Sequence, residues 1–237
     1  MNHGGAFEQA TELVLEIAAG EGGEDSKIFV HELFAAYVRY SESLNLKVEI
    51  LNSTQGNVKA LIKGKGAGKA LVNEPGKHVC QRIPPTEQKG RKQTSYVSVS
   101  VLTLEKQIEV QLSDKDLLIE AVNLGGKGGQ HCNRTMSGAR VTHKPTGIQA
   151  VINGRKYHQN LSEALRIVSQ RVNDKSVSEA REARSEARQG QMGGGTRGEK
   201  IRTYNFLQSR VTDHRLGTKT GNIKAVMKGR FDLIFSK

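Results

Sequence analysis

Apolar side chains recur at near-helical spacing from residue 28 to 40, where Ile28, Leu33, Ala36, Tyr37 and Tyr40 fall toward one side of a helix drawn at 3.6 residues per turn. Asp25 or Ser26 stands just ahead as an N-cap. Upstream, "AFEQATELVLEI" ends in alternating apolar positions and the glycines of "AAGEGGEDS" break the pattern, so strand, glycine turn and helix follow one another. Next come "KVEILNS", "VKALIKG" and "KALVNE", separated by "TQGN" and "GKGAG", which read as an antiparallel meander. Residues 82–95, "RIPPTEQKGRKQTS", carry two prolines and no period, and read as a polar loop. The valines of "YVSVSVLTL" then alternate with polar residues as in a strand.

Beyond it, "IEVQLSDKDLLIEAVNLGG" reads as strand-like and then short helix-like pieces. "ARVTHKPTGIQAVING" reads as a hairpin turning at "KPTG", where proline presets one turn angle and glycine relieves another. "NLSEALRIVSQRV" is an amphipathic helix with Leu161, Ala164, Leu165 and Val168 on one side. In "SEAREARSEAR", spacings of three and four give three stripes: Ala180, Ala183 and Ala187; Arg181, Arg184 and Arg188; Glu179, Glu182 and Glu186. The alanines suit close packing and the arginines an outward rail, or the whole is an ordinary solvated helix. "GQMGGGTRGEK" ends that helix as a hinge, and "NIKAVMKGRFDLIF" is apolar enough to return and dock on the first domain.

Charge narrows the class of partner. Lys and Arg number 36 against 24 Asp and Glu, a formal charge of +12, which suits a polyanion such as RNA or DNA because neutralised phosphates release their counterions. Charge serving solubility alone is the plain alternative. With 36% hydrophobic residues and no tryptophan, the core is expected to be aliphatic. Cys80 and Cys132 lack C-x-x-C spacing, so zinc is not expected, no metal or cofactor is called for, and a reducing cytosol fits. No apolar run approaches the ~18 residues of a membrane span, and "MNHGGAFEQA" lacks the features of a signal peptide. A soluble, cytoplasmic chain is expected.

The unusual chemistry lies in "LGGKGGQHCNRT", residues 124–135. A Walker loop would need Ser or Thr after Lys127, and G-x-G-x-x-G fails as well. Glycines let backbone N–H groups approach a substrate where a side chain would collide. Gln130 has an amide that does not ionise, so catalysis here must come from positioning water and stabilising an oxyanion, for which one donor supplies about 3 kcal/mol. His131 is the alternative base, without a carboxylate nearby in sequence to orient it.

"GGQHCNRTMSGARVTHKPTGI", "GRKYHQN" and "GEKIRTYNFLQSRVTDHR" resemble the corresponding segments of bacterial-type class I peptide chain release factors. "EIAAGEGGED" and "GKHVCQRIPPTEQKGRKQTS" resemble their codon-reading domain, and the likeness runs from about residue 12 to 235. It implies an α+β, two-domain architecture: a discontinuous codon-recognition superdomain over 6–108 and 203–237, interrupted by a GGQ catalytic domain over 109–202. The family's N-terminal helical domain is expected to be absent. It implies binding in the ribosomal A site, stop-codon recognition, and hydrolysis of the peptidyl-tRNA ester only together with the peptidyl transferase centre.

The resemblance carries residues with it. Gly128, Gly129 and Gln130 match the catalytic GGQ, with the Gln130 N–H as oxyanion donor and its side chain, a target for N5-methylation by a glutamine methyltransferase, screening the nucleophile. Pro84, Pro85 and Thr86 match the P-x-T of factors reading UAG and UAA; Gly22 and Asp25 fall where a helix N-terminus meets the first uridine, and Gln81 and Thr94 where the third base is read. Gln93 stands where the family usually has a histidine stacked on the second base, and Asp25 where a glutamate is usual; loss of a ring removes a platform worth ~1–3 kcal/mol. Lys127, Arg134, Arg155, His158, Arg181, Arg184 and Arg188 are candidate rRNA contacts. The expected partners are rRNA, mRNA and P-site tRNA, with the chain itself a monomer. A codon-independent ribosome-rescue hydrolase and a non-catalytic A-site competitor are the alternatives.

Overall fold

The computed structural model describes residues 7–104, 112–123, 136–192 and 200–235. The chain divides into two compact units, one of residues 1–105 and 184–237, the other of 106–183. The first is built on an eight-stranded sheet: β1 (Glu12–Ala19), β2 (Lys47–Thr54), β3 (Asn57–Lys63), β4 (Gly76–Arg82), β5 (Gln93–Thr103), β9 (Lys200–Asn205), β10 (Arg210–Asp213) and β11 (Lys219–Thr220), in spatial order β11-β10-β9-β4-β5-β1-β3-β2. All neighbours run antiparallel except β4 and β9. That parallel pair joins the returning C-terminal segment to the N-terminal part of the chain.

Helix α1 (Gly23–Ser43) lies against the sheet, and Phe29, Val30, Leu33, Phe34, Ala36 and Tyr37 form its buried stripe. Burying each of the larger ones stabilises by roughly 1.5–3 kcal/mol. The alternating inward residues of β1 (Leu13, Leu15, Ile17) and β5 (Val97, Val99, Val101) meet that stripe. Ile223 and Val226 of α4 (Ile223–Met227), Phe231, and Ile234 of α5 (Asp232–Phe235) join the same core, so the terminal apolar segment docks as its composition suggests. β2 is an edge strand, largely exposed, with a register shift between Ile50 and Asn52; such bulges blunt an open edge.

Three local expectations are corrected. α1 begins at Gly23, not beyond Ser26, and its N-cap is Gly22; Asp25 and Ser26 lie in the first turn, buried. Ser26 is satisfied locally, its Oγ donating to Gly23 O at 2.7 Å, whereas Asp25 accepts from Arg82 and Ser95, far away in sequence. "KALVNE" is no third meander strand: α2 (Ala67–Leu71) occupies it, and the third strand is "GKHVCQR". "DKDLLIEAV" forms a 3-10 turn, Asp114–Asp116, and then strand β6 (Leu117–Val122) where a short helix-like piece was expected.

The second unit pairs β6, β7 (Gly138–His143) and β8 (Ile148–Ile152) antiparallel. Leu117, Val141 and Ala150 pack on Ala164, Val168 and Val172 of α3 (Tyr157–Met192). The β7–β8 hairpin closes at Gly147, whose φ of +68° glycine adopts without strain. α3 is one continuous helix whose last turns, from Arg184, belong to the first unit. Ala180, Ala183 and Ala187 are exposed, so nothing among the described residues covers the alanine stripe. Farther along, Arg188 pairs with Glu16 at 2.6 Å. Gln191 brackets Val101, accepting from its N–H at 2.8 Å and donating to its carbonyl at 2.9 Å, beyond the last β4–β5 pair at Gly76 and Val99.

The first unit's core encloses a charged cluster. Arg202 is fully buried and forks onto Glu74 (2.7 and 3.0 Å) while donating to Asp213 (3.1 and 2.9 Å). Tyr37 Oη donates to Glu74 from α1. His78, the register partner of Arg202 across β4 and β9, lies beside them with Nε2 3.0 Å from the Glu74 carbonyl. Burial first, then the Arg202 charge, lowers its pKa to about 4.

The folded protein therefore keeps His78 neutral while the unfolded chain takes up a proton near pH 6.5. Its contribution is whole above that pH and is lost progressively as pH falls toward 4. Between pH 7.5 and 5 the chain should lose about 2 kcal/mol through this one ring, seen as a falling urea midpoint. A His78→Gln variant should show a flatter pH dependence; an unchanged slope would assign the effect to another group.

Candidate nucleic-acid interface

The exposed end of the β4–β5 pair, the loop between these strands and the N-terminus of α1 come together through one buried cation. Arg82 is the last residue of β4 and follows the inward parity of His78 and Cys80. Its Nε donates to Asp25 Oδ1 at 2.8 Å and its Nη1 to Glu32 Oε2 at 2.6 Å. Nη2 is also 2.8 Å from Asp25 Oδ1, an ionic contact whose N–H is not aligned for a further hydrogen bond. The other Asp25 oxygen accepts from Ser95 Oγ at 2.7 Å. The guanidinium also stands 5.4 Å from the Phe206 ring centre and 6.0 Å from that of Phe29. Burial works against its charge, but the Asp25 hydrogen bond and the neighbouring acids raise its pKa above the usual arginine value.

Gly22 is seated by the same corner. Its φ is +129°, and a Cβ there would fall 2.7 Å from the backbone and side chain of Ser95. Glu21 O accepts from Tyr96 N–H at 2.7 Å, which pins the turn to β5 one residue farther on. Only glycine meets both the angle and the approach.

The predicted site residues divide by what they show to solvent. Pro85, Thr86, Gln93 and Thr94 are exposed; Pro84 is buried and Gln81 half-buried. Asp25 departs from the expectation of an outward residue: it is 2% exposed and both its oxygens are engaged. Gln81 accepts at Oε1 from Asn205 Nδ2 (3.0 Å), and Asn205 Oδ1 accepts from the Gln208 N–H (2.9 Å). That chain fixes the Gln81 amide with its NH2 outward, because a backbone N–H can only donate. Glu87 accepts from the Lys89 N–H, Arg91 and Gln93, and so ties the loop to itself. The Lys89 N–H foremost, then Arg91, holds the Glu87 carboxyl below its ordinary pKa.

The sequence reading passed over Arg82, Glu87 and Ser95. The signal for Arg82 was an arginine at an inward strand position two residues after an apolar Cys80; for Glu87, an acid four residues ahead of Arg91. Cys80 itself is a free, buried thiol whose pKa burial pushes up to about 12, so it packs without reacting.

Of the candidate rRNA contacts, Arg155, His158, Arg181 and Arg184 are exposed, and Arg188 is half-buried against Glu16. Lys127, Gly128, Gly129, Gln130, His131 and Arg134 lie outside the described residues, as does Cys132. After that stretch, Asn160 Nδ2 donates to Ser137 O at 2.7 Å, fastening the start of β7 to the start of α3. Among the described residues there is no cluster of His, Cys, Asp or Glu able to hold a metal ion, and no helix long and apolar enough to cross a membrane.

A helix N-terminus seated on a strand-and-loop rim in one unit, and a small sheet under a long helix in the other, define a two-module α+β factor. Two family models match it in that order: the PCRF domain over residues 6–99 and the RF-1 domain over 106–215. Peptide chain release factor 1 of a Nitratiruptor species is 41% identical over 230 residues, covering 94% of this chain and 65% of the relative. That of Caldicellulosiruptor saccharolyticus is 42% identical over 229 residues, covering 94% and 64%. A solved structure, RF2 of Thermus thermophilus, aligns over 99% of this chain and 68% of its own at 29% identity, with a TM-score of 0.56. The chain belongs to the class I peptide chain release factors. It spans slightly less than two thirds of the length of the curated relatives it matches.

Arg82→Met leaves Asp25 buried without its cation and should cost about 3–5 kcal/mol. Glu32→Gln, at a side chain 35% exposed, should cost under about 1 kcal/mol because solvent screens the pair. Urea denaturation of both variants checks the contrast, and comparable losses would remove Asp25 from the centre of this corner.

Proposed function

We propose that this chain terminates translation: it reads UAA and UAG in the ribosomal A site and promotes hydrolysis of the peptidyl-tRNA ester. The observation that carries the reading is the exposed row of Pro85, Thr86, Gln93 and Thr94 on a braced loop beside the Gly22 turn, in a chain matched by a PCRF domain followed by an RF-1 domain. Hydroxyls and amides on such a rim suit recognition of unstacked single-stranded bases along their edges. The positive charge of +12 suits an RNA surface.

The 6–108 and 203–237 segments are assigned to codon reading and 109–202 to catalysis. Gly128, Gly129 and Gln130 present a backbone donor to the developing oxyanion, and the uncharged Gln130 amide admits water without acting as a base. Gln130 is a substrate for a glutamine N5-methyltransferase. Asp25 acts on the codon only indirectly, by holding the first turn of α1 in place. Arg155, His158, Arg181 and Arg184 meet rRNA. The protein works as a monomer in the cytoplasm, where its ribosomes are.

Peptide release from ribosomes programmed with UAA, UAG, UGA or an empty A site tests the reading. Release on UAA and UAG above the other two is expected. Gly129→Ala should nearly abolish release, because a Cβ enters where the backbone must approach, while Gln130→Ala should slow it modestly. Equal rates on all four templates would replace codon reading by codon-independent rescue, and binding without release would leave an A-site competitor.

A further inference from the structure

Glu87 fixes more than the path of its loop. Its carboxylate accepts from the Lys89 N–H at 2.8 Å, Arg91 Nε at 3.1 Å and Gln93 Nε2 at 3.0 Å. A carboxylate only accepts, so the end of the Gln93 carboxamide that meets it must be the NH2; a flipped amide would set oxygen against oxygen. Gln93 is exposed at the first position of β5, opposite Arg82 in register and next to exposed Thr94. No donor among the described residues reaches its Oε1. The side chain therefore offers solvent a hydrogen-bond acceptor of fixed polarity.

Its neighbours cannot do the same. The hydroxyls of Thr86 and Thr94 donate or accept as the partner requires, and Gln81, turned the other way by Asn205, shows a donor. The distinction matters for purines: adenine carries an N6 amino donor where guanine carries the O6 acceptor. A fixed acceptor takes the first and opposes the second. In the codon set proposed above, UAA and UAG, adenine must be told from guanine at the second position alone.

We infer that Gln93, held by Glu87, selects adenine over guanine at the second codon position by accepting a hydrogen bond from the exocyclic amino group. This rests on the stop-codon reading and gives it a specificity element: a polarity filter made by a glutamine with no ring to stack.

Release rates on UAA, UAG and UGA, measured for the wild type, Gln93→Ala and Glu87→Gln, test it. The UAA to UGA ratio should fall about tenfold in Gln93→Ala. It should fall comparably in Glu87→Gln, whose amide partner lets Gln93 turn over and present its NH2 to guanine. The UAA to UAG ratio should stay unchanged in both. A UAA to UGA ratio that survives either substitution overturns the inference and leaves the function standing. So does a proportional loss on all three codons in Glu87→Gln, the signature of a brace and nothing more. A wild type that releases on none of them overturns the function and the inference together.

Discussion

A guanidinium with no access to water governs the first unit. Arg202 arrives on β9, a strand separated in sequence from its neighbour β4 by the whole second unit, and charge makes the return specific. Apolar residues alone would let the returning segment settle on the core in several registers. A buried arginine permits one, because it needs Glu74 from the turn before β4 and Asp213 from β10 at the same time. Misplacing it by one residue would send the cation to the opposite face of the sheet and leave two carboxylates buried without it, a penalty larger than the apolar contacts of a short strand can offset. Tyr37 ties α1 into the same cluster, so helix, sheet and C-terminal segment close around a single ion group.

Arg82 repeats the device at the end of β4. Both arginines occupy inward strand positions, each is flanked by two acids, and each lies near two aromatic rings. Their surroundings differ in a way that suits their positions. Arg202 sits in the interior with its acids fully enclosed, whereas Glu32 beside Arg82 is partly wet. The inner cluster sets which strands pair. The outer one sets where the α1 N-terminus rests relative to the rim, through an Asp25 that never reaches the solvent itself.

Much of the fold was legible because its signals are periodic. The stripe of α1, the alternation of β5 and the "KPTG" hairpin each have a pattern that a short window contains. The errors came where tertiary contacts override local preference. Ala67–Leu71 is helical although its residues also suit a strand, and Asp25, a good N-cap by type, was drawn inward by a partner 57 residues away. The alanine stripe of α3 shows the opposite limit: spacing tells which residues share a side of a helix but not whether anything covers it. For the candidate site, resemblance supplied the outward residues, Thr86 and Thr94 among them. It could not supply Arg82, Ser95 or Glu87, because their part is played through other side chains and leaves no motif.

The two rim glutamines make that last point concrete. By residue type they are identical, each able to donate and to accept, and nothing in the sequence distinguishes their hydrogen-bonding sense. Their surroundings do: Asn205, itself oriented by the Gln208 N–H, turns Gln81 donor-outward, while Glu87 turns Gln93 acceptor-outward. Each orientation is inherited from a group that cannot reverse, a backbone N–H in one case and a carboxylate in the other. An amide free to rotate would meet amino and keto edges equally and discriminate neither. Selectivity at this rim is thus a property of the groups behind the contact, and a substitution there that never touches a base can change which base is accepted.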